Sequence, residues 1–206
     1  MKTQLYKQGW EEAMDYAEYR GLIDDLLLAN KTTGDKQSQS LVSFTQLNVQ
    51  RMSRIDKTFQ PTPGVLKRIK SVADQVSLLT LTDGWCGDAA QIVPVVEALT
   101  KATSIASRYL LRDENPAIMD QHLTQGGRSI PMVLILDKQS FHLLGCFGPR
   151  PSEPQEKAMT YKYMKAPKQP YSELTKELQL WYARDKQQAI QNELTEALLH
   201  SLQLER

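Results

Sequence analysis

The stretch with the most chemistry in it is Thr82-Asp-Gly-Trp-Cys-Gly-Asp-Ala-Ala-Gln-Ile-Val-Pro94. It places Cys86 where an apolar, β-branched run (76–82) gives way to a helical pattern (88–101). At such a junction the unpaired backbone N–H groups of the helix start favour thiolate over thiol. Trp85 can cover the sulfur on one side, and Gly87 lets another backbone approach it. A partly exposed thiolate in that setting is a nucleophile for disulfide exchange or for peroxide. The bland counterpart is an inert buried cysteine; position favours the reactive reading.

Other reactive groups are sparse. The second cysteine, Cys146, lies 60 residues on. Its residue type favours a small buried side chain, with a second redox thiol as the alternative. Arg112, Arg128 and Arg150 fall near strand ends and could contact a carboxylate or a thiol-tripeptide anion. Ion pairs with Asp83, Asp88 or Asp113 are the competing and slightly favoured reading. His122, His142 and His200 show no metal-ligand spacing, so no metal and no cofactor are expected. Arg51-Met-Ser-Arg54 and Lys67-Arg-Ile-Lys70 read as solvated helix faces.

The elements that must position Cys86 follow from periodicity. Four strands are predicted, over 76–82, 105–111, 132–136 and 141–147. Helices are expected over 88–101 and 117–123, giving the order β-α-β-α-β-β. The Asp137-Lys-Gln-Ser140 loop between the last two strands suits a hairpin, so those strands should be antiparallel. Upstream, one helix is predicted over 10–30 and another over 41–57, ended by Gln60-Pro-Thr-Pro-Gly64. Downstream, 153–164 is helical, and 171–202 is a long helical pattern interrupted at Asp185-Lys-Gln-Gln188. At ~1.5 Å per residue such a helix would reach roughly 45 Å, so it must bend, break or meet a partner.

Composition narrows the class. The chain has 206 residues, 41% hydrophobic and 24% charged, which are globular values. Twenty-five Lys+Arg against 24 Asp+Glu give a net charge of +1, which argues against nucleic acid or an acidic membrane as the main partner. No apolar run approaches a membrane span. The first ten residues lack the apolar core of a signal peptide. Two cysteines cannot form a disulfide framework, so a cytoplasmic location with free thiols is expected.

Trp85-Cys86-Gly87-Asp88-Ala89 resembles the Trp-Cys-Gly-Pro-Cys motif of thioredoxins. Pro94 stands where thioredoxins have a helix-kinking proline. Asp113-Glu-Asn-Pro116 is similar to the family's Asp-x-Asn-Pro, and Arg128-Ser-Ile-Pro131 to the Arg-Gly-Ile-Pro that carries its cis-proline. The same motifs, with Gly148-Pro-Arg-Pro151, also resemble a bacterial group of uncharacterised thioredoxin-like proteins with helical extensions. The resemblance spans roughly 72–151. It implies an α/β fold: a thioredoxin-like core with a mixed sheet, an N-terminal helical extension (1–71) and a C-terminal one (152–206), forming one compact unit. It implies that Pro131 is cis and that Ile130 offers backbone hydrogen bonds to an extended substrate.

Departures from the family pattern matter as much. Ala89 occupies the position of the resolving cysteine, and a methyl group cannot attack sulfur. Thr80 occupies the position of the family's buried proton acceptor. Asp88 replaces proline, and its carboxylate should raise the thiol pKa. Three functions are therefore weighed. In the first, Cys86 exchanges with a protein or low-molecular-weight disulfide and an external thiol resolves the product. In the second, the groove beside Trp85 and Pro131 is a non-catalytic binding module. The third is a structural homodimer through the C-terminal helix. Retention of Trp-Cys-Gly and the proline loop tilts the sequence reading to the first.

Overall fold

The computed structural model describes residues 2–203. Four helices precede the sheet: α1 (Lys2–Glu12), α2 (Tyr16–Leu28), α3 (Gln39–Thr58) and α4 (Pro63–Lys70). Then come β1 (Val76–Thr82), α5 (Ala89–Thr103), β2 (Ala106–Leu111), α6 (Pro116–Met119), β3 (Met132–Asp137) and β4 (Leu143–Phe147). Helices α7 (Ser152–Tyr163), α8 (Tyr171–Asp185) and α9 (Gln188–Gln203) follow. No helix among the described residues is long and apolar enough to cross a membrane.

The sheet order is β2-β1-β3-β4. β1 and β2 are parallel; β1–β3 and β3–β4 are antiparallel. This is the mixed α/β sheet that the strand pattern predicts, with β3 and β4 joined as a hairpin. All seven residues of β1 are buried, as expected of a central strand covered on both faces. Alternation divides its side chains between two cores. Leu79 and Leu81 face Tyr6, Tyr19, Tyr109 and Leu134 beneath α1 and α2. Val76 and Leu78 face Val133, Ile135, Ile69 and Leu194 beneath α4, α5 and α9.

One helix prediction needs correction, and a second is resolved among its stated alternatives. The stretch 10–30 is not one helix. The chain turns at Ala13–Asp15, where Met14 exchanges backbone hydrogen bonds with Tyr109 at 3.0 and 2.8 Å and so touches the sheet edge. Helix α2 restarts with a capping box, Asp15 accepting from the Glu18 N–H and the Glu18 carboxylate from the Asp15 N–H. The long C-terminal pattern breaks between α8 and α9, where Lys186 and Gln187 both have positive φ (52° and 65°). Its apolar stripe (Leu174, Leu178, Tyr182, Ile190, Leu194, Leu198) is buried within the chain itself. The segment after Gln60-Pro-Thr-Pro-Gly64, by contrast, is not merely a helix end: Pro63 sits at the start of α4, where its missing N–H would be unpaired anyway.

Candidate active-site cleft

Strand β1 delivers Thr82 to the edge of the site, the loop 83–88 turns, and Ala89 opens α5. Every residue of the Trp85–Ala89 motif except Trp85 and Gly87 is buried. The loop is gripped from both ends of the chain. The Asn48 side chain, on α3, donates to the Gly84 carbonyl at 2.9 Å, and the Gly84 N–H donates to the Thr33 hydroxyl at 2.9 Å. From α8, Gln179 donates to the Gly87 carbonyl at 3.2 Å and the Tyr182 hydroxyl donates to Asp88 at 3.0 Å. The helices outside the strand region therefore hold the cysteine loop directly.

Cys86 is only 9% exposed. Its thiol donates to the Ile130 carbonyl at 3.3 Å, and its sulfur accepts the Ala89 N–H at 3.5 Å. The helix start is thus where the sequence places it, yet the surroundings of the thiol oppose its ionisation. Burial, and secondarily the Asp88 carboxylate, push its pKa up to about 12; the Ala89 and Asp88 N–H groups and Arg150 oppose this without overcoming it. The Ile130–Pro131 peptide is cis, and so is Gly148–Pro149.

A cleft of about 420 Å³ opens beside the sulfur. Leu41, Phe44 and Arg51 of α3 form one wall, and Tyr171, Thr175, Leu178 and Gln179 of α8 the other. Trp85, Cys86, Gly87 and Asp88 make the floor, with Ile130 and Ser129 at the proline loop. The three arginines singled out in the sequence all line this cleft, and each is held in an ion pair. Arg112 grips Asp113 with two bonds of 2.8 and 3.0 Å while stacking over Trp85 at 4.7 Å. Arg128 grips Asp120 at 2.6 and 2.7 Å. Arg150 meets Asp88 at 2.6 Å. Asp120 was not among the acids expected as partners.

Cys146 lies outside this group. It is free and exposed, not buried as its residue type suggests, and does not line the cleft. It pairs with Leu134 near the end of β4, whose neighbour Phe147 points into the opposite core.

Sequence reasoning missed one residue here, Arg51, and named another, Asp83, only as an ion-pair partner of the arginines. Arg51 is not on a solvated face: it is half-buried, lines the cleft and donates to Asn48 at 2.8 Å. The signal was present, because Leu41, Phe44, Asn48 and Arg51 follow spacings of three and four along one helix face. Asp83 is fully buried, with neither carboxylate oxygen hydrogen-bonded and Arg112 Nε no closer than 3.9 Å. Burial raises its pKa to about 7, opposed by the Thr33 hydroxyl and Arg112.

A mixed four-stranded sheet with a cysteine at the β1–α5 junction, facing a cis-proline loop, defines a thioredoxin-like α/β protein. The model of the family described as thioredoxin matches residues 34–168, most of the chain, and the chain belongs to that family. The match extends beyond 72–151 on both sides and takes in α3, α4 and α7. Among solved structures, the chain is similar to PA1234 from Pseudomonas aeruginosa, a protein of unknown function (TM-score 0.62, 16% identity, 94% of this chain and 96% of that one). It is also similar to an HIV epitope-scaffold (TM-score 0.61, 16% identity, 94% and 96%). At that identity the likeness is one of fold. No curated protein matches the chain.

Proposed function

We propose that this thioredoxin-family chain is a non-catalytic binding module that holds its partner in the cleft beside Cys86. The observation that carries the reading is the setting of the thiol: 9% exposed and donating its hydrogen to the Ile130 carbonyl, where burial and the Asp88 carboxylate push its pKa up. A protonated thiol is a poor nucleophile, because exchange proceeds through the thiolate. Ala89 supplies no resolving sulfur, and Cys146 is not at the cleft. The cleft itself has the size and mixed lining of a ligand site.

Monothiol exchange is the second reading, favoured by one observation: Cys86 lines the cleft alongside Trp85 and the proline loop. In that chemistry the Cys86 thiolate attacks a disulfide, forming a mixed disulfide and releasing one thiolate. An external thiol then attacks the mixed disulfide, regenerates Cys86 and leaves with the second half as a new disulfide. Either activity is compatible with the resemblance of the Trp-Cys-Gly-Asp-Ala motif to bacterial thioredoxin-like proteins, and two free cysteines fit a reducing, cytoplasmic setting.

The deciding experiment is pH-dependent alkylation of Cys86 in a Cys146→Ser background, with Cys86→Ser as control. The module reading expects slow labelling at neutral pH, a titration above the free-thiol value of about 8.5, and no mixed disulfide with oxidised low-molecular-weight thiols. A thiolate already present at pH 7, with turnover in disulfide exchange, would replace it with the monothiol reading.

A further inference from the structure

Four guanidinium groups line the cleft, from Arg51, Arg112, Arg128 and Arg150. Three are neutralised by Asp113, Asp120 and Asp88. Arg51 makes no ion pair among the described residues. One of its amino groups donates to Asn48, whose own amide is fixed to the Gly84 carbonyl, so the guanidinium is held in place from behind. That group lies 3.4 Å from where a Cβ on Gly87 would sit, against the cysteine turn. The carboxylate that most favours its charge is Asp88, which Arg150 already holds. Desolvation disfavours the Arg51 cation, so an incoming anion would relieve a cost the folded chain leaves in place.

Both walls beside it carry apolar side chains. Leu41 and Phe44 precede Arg51 on the same face of α3, and Leu178 and Tyr171 stand opposite on α8. Phe44 is 46% and Tyr171 64% exposed, so both keep aromatic surface free for a ligand. One uncompensated cation beside two aromatic rings matches a ligand with one negative charge and an apolar body.

We infer that the cleft takes a small organic carboxylate, a monoanion with an apolar body, and that Arg51 recognises its charge. The inference rests on the binding-module reading and names the ligand class of that site. The probe is 4-phenylbutyrate, compared with its neutral isostere 4-phenylbutanamide, followed through the backbone amide signal of Gly87 and the indole signal of Trp85 by NMR. The expected result is a saturable shift of both signals by the carboxylate and about tenfold weaker binding of the amide, reflecting the loss of a charge-assisted contact. Arg51→Gln should bring the carboxylate down to the level of the amide, and Arg51→Lys should restore part of the difference. No saturable shift with the carboxylate would overturn the inference, as would equal binding of the two probes to the wild-type chain, a comparison that needs no variant to fold. Equal binding at these signals would leave the cleft as a binding site and remove only its preference for an anion. A Cys86 thiolate at neutral pH, measured by alkylation, would instead remove the module reading and leave the carboxylate result intact.

Discussion

The Tyr182 hydroxyl on α8 donates to Asp88, the motif residue two positions after Cys86, across 94 positions of sequence at 3.0 Å. Both side chains are buried, and Arg150 completes the acid's partners. Removing only the hydroxyl, with Tyr182→Phe, takes one hydrogen bond from a buried carboxyl group. The expected cost is about 1.5 kcal/mol in urea denaturation with an unchanged slope. An unchanged midpoint would mean that α8 is not anchored through this contact.

The same acid bears on the sulfur. Asp88 is the second cause, after burial, of the raised Cys86 pKa. Asp88→Asn removes a negative charge beside the thiol and frees Arg150, and both changes favour thiolate. The titration of Cys86 in pH-dependent alkylation should therefore move down. It should remain above the free-thiol value of about 8.5, because burial, the larger cause, is untouched. A fall below that value would show that Asp88, not burial, keeps this thiol silent.

Asp83 links the site to stability. Unfolded, its carboxyl titrates near about 4; folded, at about 7. Between those values the native state holds a proton that the unfolded state has released. This group's contribution to stability therefore falls as pH rises from about 4 to about 7 and is level above that. Asp83→Asn removes the ionisation. Its melting temperature relative to wild type should be higher at pH 8 than at pH 5, measured by thermal denaturation at both values. An equal difference at the two pH values would show that Asp83 is not the titrating group.

The parts of the molecule legible in the sequence are those set by local pattern. Strand β3 is a continuous apolar run and β1 a run rich in apolar and β-branched residues, and their bounds fall within a residue of the runs themselves. Cys86 is found because a strand–helix junction is itself a local feature. What could not be read depends on contacts distant in sequence. Met14 leaves a helical stripe because Tyr109, 95 positions away, offers it backbone hydrogen bonds. Arg51 and Gln179 look like surface polar residues until α3 and α8 are seen packed beside Gly87. The setting of the thiol is likewise a matter of packing: the sequence signals a reactive position, and the fold leaves its sulfur only 9% exposed against the Ile130 carbonyl.

The proline loop that accepts the thiol hydrogen is itself held by close packing. Gly148 has φ +129°, a conformation open to glycine and rarely to other residues, and a Cβ there would overlap the Pro131 carbonyl oxygen. Gly148→Ala must move either the end of β4 or the loop bearing Ile130, and Gly148 is followed two residues later by Arg150, the partner of Asp88. The expected loss is about 3 kcal/mol, from overpacking together with backbone strain. Gly126→Ala separates the two causes: Gly126 also has positive φ (+75°), but nothing lies within 4 Å of its would-be Cβ. That variant should lose only the conformational part, about 1 kcal/mol. Urea denaturation of both, with Cys86 alkylation as a second readout, checks the claim. Faster labelling of Cys86 in Gly148→Ala alone would show the Ile130 carbonyl drawn off the sulfur, whereas equal losses in the two variants would show that contact with Pro131 carries no weight.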